Sequence, residues 1–246
     1  MRAALPLELW VAGPEALADD ARLRRCLGLL DEAERARYAR FLVEGPRRTF
    51  ALAHGMLREV LSRHAAVEPG AWRWRENAYG RPEVALPLTP ETLGLRFNLS
   101  HTEGMVAVLV TRGRDAGVDT EHLHRRVHDD GIAERFFAPD EVRALRTVPE
   151  AQRRRRFFDY WTLKEAYIKA RGMGLAIPLH AFAYGLPPWV GALQPEHIQL
   201  ATDPSLNDDP SRWRFAQWAP EEAYLVSAAV RCEDGDEPRW TLHRWG

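Results

Sequence analysis

Lysine is nearly missing from this 246-residue chain: of its 34 basic residues, only Lys164 and Lys169 are lysines. Cysteine is scarce too. Cys26 and Cys232 stand far apart with no metal or redox spacing, which excludes a disulfide framework and a zinc finger and points to free thiols in a reducing compartment. No stretch approaches 18 apolar residues, so no membrane-spanning helix is expected. The opening MRAALPLELWVAG lacks a basic segment followed by a long apolar run, and the expected location is cytoplasmic. A formal net charge of −1 supplies no overall field toward nucleic acid or an anionic membrane, so any anion site must be local.

Both lysines fall in one run, Trp161-Thr162-Leu163-Lys164-Glu165-Ala166-Tyr167-Ile168-Lys169. Glu165 and Lys169 are four apart and share a helix face, with Trp161 one turn earlier; Gly172 and Gly174 supply the stop. In isolation such a pair is a solvated ion pair worth about 0.3–0.5 kcal/mol. Its surroundings change that reading.

Periodicity and turn signals give an α+β chain. Leu7–Ala12 reads as a strand. Pro14 to Leu30 reads as a helix bending near Gly28, followed by a helix over Asp31–Phe41 that Gly45-Pro46 ends. Arg47–His64 reads as a long helix with an apolar stripe, and Trp72–Glu76 as a short strand before the Tyr79-Gly80-Arg81-Pro82 turn. Leu95–Leu99, Met105–Arg112 and Ala116–Glu121 are closely spaced and imply an antiparallel meander. The order then repeats. Helices are expected over Val127–Phe136, Pro139–Arg146 and Gln152–Arg171. Strands follow near Ala181–Tyr184, His197–Ala201, Trp213–Trp218, Tyr224–Val230 and Trp240–His243, with Thr202–Ser211 as a surface loop. Two similar halves result, each a long helix on a small antiparallel sheet. The Arg112–Asp115 turn divides residues 1–113 from 114–246 and places Ala116–Glu121 at the seam, a common place for a ligand cleft.

That strand carries Gly117-Val118-Asp119-Thr120-Glu121. Residues two apart on a strand share a face, so Asp119 and Glu121 lie side by side and repel unless a cation or protons neutralise them. Facing a cleft, with Glu165 as a third carboxylate, they make an oxygen-only set suited to Mg²⁺; facing solvent, they are an ordinary strand end. Ser100-His101 closes Phe97-Asn98-Leu99, but without a Gly-x-Ser-x-Gly elbow it is no hydrolase signature. His101 reads as an anion-binding or turn residue. Arg47 and Arg48 at a helix start suit an anion there, or are solvated. The run Arg153–Arg156 points around the whole helix, so most of it is expected in solvent.

Together these motifs resemble a known family. GVDTE, then about forty residues, then WTLKEAYIKARGMGL is similar to the two-part pattern of the 4′-phosphopantetheinyl transferases, and FNLSHT and YGRP resemble its longer, Sfp-type branch. The resemblance runs from about Arg47 to Leu175. It implies a single-chain pseudo-dimer with coenzyme A between the halves, the first half binding coenzyme A and the second holding metal and docking the carrier. The implied reaction moves the phosphopantetheine arm of coenzyme A to a serine of an apo acyl or peptidyl carrier protein, with Mg²⁺, releasing adenosine 3′,5′-bisphosphate. By motif position, Asp119, Glu121 and Glu165 are the metal ligands, and Lys169 stands beside the pyrophosphate. Lys164, Ser100 and His101 are coenzyme contacts. Arg48, or Arg47 in its place, falls near the 3′-phosphate, and Arg81 replaces the more usual lysine of its turn. Glu165 or a metal-held water is the candidate base, with Glu141 as a second. Arg171, Met173 and Leu175 resemble the carrier-docking segment. Two other readings stand beside this one: a coenzyme A- or carrier-binding module without catalysis, and a metal-dependent phosphohydrolase. The presence of Asp119, Glu121, Glu165 and Lys169 together favours the transferase.

Overall fold

A computed structural model describes residues 3–125 and 129–246. The chain opens with strand β1 (Ala3–Ala12) and helices α1 (Pro14–Ala18), α2 (Asp20–Leu29), α3 (Glu32–Ala39) and α4 (Glu44–Leu61). Strands β2 (Arg73–Glu76), β3 (Pro82–Leu86), β4 (Leu95–Thr102), β5 (Met105–Arg112) and β6 (Ala116–His122) follow. Helices α5 (Asp129–Phe136), α6 (Pro139–Thr147) and α7 (Glu150–Arg171) precede strands β7 (Phe182–Gly185), β8 (Gln199–Thr202), β9 (Trp213–Trp218), β10 (Tyr224–Arg231) and β11 (Asp236–Arg244). Val127 and His128, the start of the expected Val127–Phe136 helix, lie outside the described residues.

The two-part α+β plan is present, but the meander is not. Strands β4 and β5 pair as a hairpin within a sheet ordered β11-β1-β5-β4, whereas β6 leaves it to pair with β10 in a second sheet, β6-β10-β9. The last strand, β11, returns to the first sheet and runs parallel to β1. The sheets meet at β4 and β6, where side chains replace a backbone ladder. Val118 N donates to Asn98 Oδ1 at 2.8 Å, and Thr120 N donates to Ser100 Oγ at 3.3 Å. Two polar residues of the Asn98-Leu99-Ser100 segment thus satisfy the otherwise orphaned amides of β6.

Alternation explains the layers. Along β5, Val106, Val108 and Val110 join the core beneath α2 and α4, while Met105, Ala107 and Leu109 face a core shared with Val118 of β6 and Val226 of β10. Buried on both faces, β5 reads as the continuous apolar run MVAVLV. Helix α7 covers the other face of the second sheet through Leu163, Ala166 and Ala170, packed with Phe215, Leu225 and Ala229. Gly117 permits this approach: a Cβ there would stand 2.2 Å from the Ala166 carbonyl oxygen and 2.4 Å from Ala170 N.

Two expected boundaries move for local reasons. The helix expected over Pro14–Leu30 is two helices, divided at Asp19 and not bent at Gly28. Asp19 Oδ1 caps α2 by accepting from Ala21 N at 2.8 Å and Arg22 N at 3.1 Å. Pro46 does not separate helices but sits in the first turn of α4, where its missing N–H has no intrahelical partner to lose.

Candidate active site

Helix α7 ends in a left-handed Gly172 (φ 62°), whose N–H bonds the Ile168 and Lys169 carbonyls. The Tyr79–Pro82 turn docks on this end: Asn77 Nδ2 donates to Gly172 O at 2.9 Å, and Arg81 donates to Ala170 O at 2.9 Å. Arg81 also pairs with Glu83 at 2.9 Å and Asp115 at 3.5 Å. It therefore caps a helix terminus as well as lining a cleft of 310 Å³, which Tyr79, Asn98, Leu99, Glu165 and Lys169 also line. Three motifs distant in sequence are brought to one place.

At the edge of the cleft, Lys169 Nζ lies 2.6 Å from Asp119 Oδ1 and 2.9 Å from Ser100 Oγ, and Ser100 donates to Asp119 at 3.0 Å. No ion pair joins Glu165 to Lys169 among the described residues; Lys169 reaches across the seam to Asp119. Glu121 is held by Arg125 at 3.0 Å and by Trp161 Nε1 at 3.2 Å. Burial and then the charge of Asp119 push Glu121 up to about 7, against the opposing pull of Arg125. The same two causes push Glu165 up to about 7, opposed by Lys169. The charge of Asp119 thus reaches both glutamates.

Asp119 Oδ2 is buried without a hydrogen-bond partner among the described residues. An orphaned acidic oxygen beside two carboxylates that resist ionisation is a donor set that suits a hard divalent cation. The side chains do not form a closed cage, however: among the described residues no three His, Cys, Asp or Glu are gathered as a metal-binding group. Asp119 is taken up by Lys169, and Glu121 by Arg125 and Trp161.

His101 stands on the outward face of β4. Loss of hydration around the ring, and then the charges of His54, Lys169 and Arg37, push it down to about 4. The residue is exposed, which limits the first effect; the basic neighbours are the more durable cause. His101 thus stands near positive groups, as an anion site requires.

Other expected residues lie elsewhere. Glu141 and Lys164 have side chains 0% exposed and pair with each other at 2.7 Å. Glu141 also accepts from Ala138 N and Tyr184 N, and Lys164 donates to the Leu179 and Phe182 carbonyls. Burial pushes the Glu141 carboxyl up and the Lys164 ammonium down. The structure does not bring the expected base Glu141 and the expected coenzyme contact Lys164 to the cleft: both brace α6 and α7 against β7. Arg48 pins α4 to Leu17 O and to Asp20, each at 2.6 Å, and Arg47 pairs with Glu44. Neither lines the cleft. Arg171 is held by Asp208 at 2.8 Å, not offered freely at the surface, and Met173 packs partly against the core. The side chain of Leu175 lies outside the described residues. In the run Arg153–Arg156, of which most is expected in solvent, Arg153, Arg154 and Arg155 are partly exposed and Arg156 is buried beside Asp159.

Sequence reasoning missed Asn98, Trp161 as partner of Glu121, and the pair Arg37 and His54. Asn98 and Trp161 sit inside motifs already singled out, so their positions were visible though their partners were not. Arg37 and His54 had no signal beyond lying on adjacent helices.

The family model of the 4′-phosphopantetheinyl transferase superfamily matches residues 115–229. The 4′-phosphopantetheinyl transferase HetI of Nostoc is 31% identical over 214 residues, covering 86% of this chain and 82% of that protein. A phosphopantetheinyl transferase of Thraustochytrium is 28% identical, covering 88% of this chain and 76% of its own. A 4′-phosphopantetheinyl transferase of Bacillus subtilis is 26% identical over 162 residues, covering 66% and 69%. With a relative 31% identical over 86% of this chain and a family model matching residues 115–229, the chain belongs to the 4′-phosphopantetheinyl transferase superfamily.

Proposed function

We propose that the chain transfers the 4′-phosphopantetheine arm of coenzyme A to a serine hydroxyl of an apo carrier protein, with Mg²⁺ held by Asp119, Glu121 and Glu165, and releases adenosine 3′,5′-bisphosphate. The observation that carries this reading is the meeting of β6 and α7 around the Lys169–Asp119–Ser100 contacts, at the edge of the cleft. Mg²⁺ bound there would offset the negative charge on pyrophosphate oxygens.

The chain's own residues supply the rest. Lys169 carries a compact charge between Ser100 and Asp119, placed to meet charge that develops on the leaving phosphate. His101 and its basic neighbours receive phosphate groups. Arg81 keeps the Tyr79–Pro82 turn seated on α7, so the cleft wall does not depend on the bound molecule. Glu165, or a water held by the metal, would accept the serine proton. No helix among the described residues is long and apolar enough to cross a membrane.

The transferase and phosphohydrolase readings separate on one requirement. Adenosine 3′,5′-bisphosphate should appear only when coenzyme A and an apo carrier protein are both present, in amounts equal to the holo carrier formed. Its release from coenzyme A alone at the same rate would favour hydrolysis. Coenzyme A binding with no product under any carrier would favour the silent module.

A further inference from the structure

Glu121 carries two contacts of unlike character. Trp161 Nε1 donates to its Oε1 at 3.2 Å, from a ring packed on Phe157 and Phe137 with centroids 5.9 Å and 6.4 Å away. Arg125 donates from a single nitrogen, Nη1, to Oε1 and Oε2, each at 3.0 Å. One donor equidistant from both oxygens stands at the open edge of the carboxylate, the edge taken by a cation that two oxygens share. The Glu121 side chain is 8% exposed and that of Arg125 is 47% exposed. The indole is thus a fixed contact, and the guanidinium is one that water can replace.

The backbone under Arg125 is pinned. Leu123 N donates to Ala223 O at 2.8 Å, and Arg125 N donates to His122 O at 2.9 Å. From α7, Arg154 Nε donates to Leu123 O at 2.6 Å and its Nη2 donates to Arg125 O. Arg125 can therefore leave Glu121 by rotating its side chain, with no opening of the loop. The other carboxylate of β6 is treated alike, since Lys169 Nζ holds Asp119 at 2.6 Å. Lys169 has further work at Ser100 and lines the cleft. The Arg125 side chain has no second partner among the described residues and lies off the cleft lining. Burial and the charge of Asp119 both work against charge on Glu121, and Arg125 opposes them. Its one evident task is to neutralise that carboxylate.

We propose that Arg125 is a stand-in cation: it closes Glu121 in the metal-free chain and yields the carboxylate to Mg²⁺, so that it competes with the metal and does not help to bind it. The proposal rests on the reading of Glu121 as a metal ligand given above. A guanidinium and a divalent cation repel each other and claim the same pair of oxygens, so the two occupancies exclude one another. Trp161, packed in place, can keep Oε1 oriented through the exchange. The consequence has a definite sign: losing Arg125 improves metal binding.

The test is calorimetric titration of the full chain with Mg²⁺ alone at pH 8.5, above the range in which Glu121 and Glu165 take up protons. Arg125→Ala should bind Mg²⁺ about threefold to tenfold more tightly than the unsubstituted chain. Its unfolding midpoint should stay close to that of the unsubstituted chain, because a half-exposed ion pair adds little to the fold. The exchange itself is read from the guanidinium carbon resonance of Arg125, identified by its absence in Arg125→Ala. On saturation with Mg²⁺ it should move toward the position of a free arginine side chain. An affinity of Arg125→Ala equal to that of the unsubstituted chain, or weaker, overturns the proposal. So does an Arg125 resonance that Mg²⁺ leaves in place. Two results are different in kind and overturn the reading of the site itself: no Mg²⁺ bound by the unsubstituted chain and Arg125→Ala alike, or a Glu121→Gln variant that binds Mg²⁺ as tightly as the unsubstituted chain.

Discussion

Lys169 of α7 bonds Asp119 of β6, 2.6 Å from Nζ to Oδ1, and not Glu165 one turn away on its own helix. The choice follows from geometry and charge. Asp119 projects from β6 toward α7, where Gly117 has removed the side chain that would hold the two elements apart. The contact joins elements fifty residues apart in sequence at a cleft wall. It makes Asp119 the residue on which metal, phosphate and ammonium interactions would all depend. Asp119→Asn should lower transfer by about 10²-fold or more, the scale seen when a charged group at a reacting centre is lost. Initial rates of holo carrier formation would measure this. A loss under threefold would refute the role.

Gly117 yields a structural prediction with a functional consequence. Alanine there would force β6 from the Ala166 carbonyl and the Ala170 amide, both backbone atoms that cannot rotate away. Overpacking of this kind costs about 1–3 kcal/mol or more. Gly117→Ala should unfold at lower temperature and lose activity in the fraction that remains folded, because Asp119 moves away from Lys169. Calorimetry with specific activity on the same sample tests both.

The Glu141–Lys164 pair should behave as a brace. Lys164→Met leaves a buried carboxylate unpaired and should cost about 3–5 kcal/mol, lowering the melting temperature by roughly 10 °C in a chain of this size. Adding Glu141→Leu to Lys164→Met should recover part of that loss, since removing both charges ends the desolvation penalty. A double variant no more stable than Lys164→Met would contradict this reading.

The raised carboxyls of Glu121 and Glu165 give a pH dependence of definite sign. A carboxyl raised from about 4.5 to about 7 binds its proton more tightly in the folded state. Its contribution to stability is full below about pH 4.5 and is lost as pH rises toward 7. In chelator, the melting temperature of the unsubstituted chain should fall across that window more than that of Glu165→Gln, by roughly 4 °C. Mg²⁺ should raise the melting temperature more at pH 8 than at pH 5.5, because metal and protons compete for the same oxygens. Equal Mg²⁺ shifts at both pH values would count against a carboxylate site.

How much of this was legible from the sequence depends on whether the signal was local. Spacing two on a strand placed Asp119 and Glu121 together, and a spacing of four, about one turn of helix, placed Glu165 beside Lys169; both relations are set by backbone period. The departure of β6 from the β4–β5 hairpin was not legible, because a short connection suits a meander as well as a change of sheet. The return of β11 to β1 is a contact over the whole chain and leaves no local trace. Lys164 and Lys169 looked equivalent by composition and motif, yet five residues turn the helix enough to send one into the core and the other into the cleft. Motif position alone does not show that Lys164 and Glu141 pair with each other in the core.

The central claim is that the β6–α7 seam transfers phosphopantetheine through Asp119, Glu121, Glu165 and Lys169. Its most direct test is the intact mass of apo carrier proteins incubated with coenzyme A and Mg²⁺, comparing the unsubstituted chain with a folded Glu165→Gln variant. The account predicts a phosphopantetheine increment on at least one carrier, abolished by chelator and nearly lost with Glu165→Gln. An unmodified mass across a panel of carriers, or a Glu165→Gln variant that converts them at the unsubstituted rate, would contradict it.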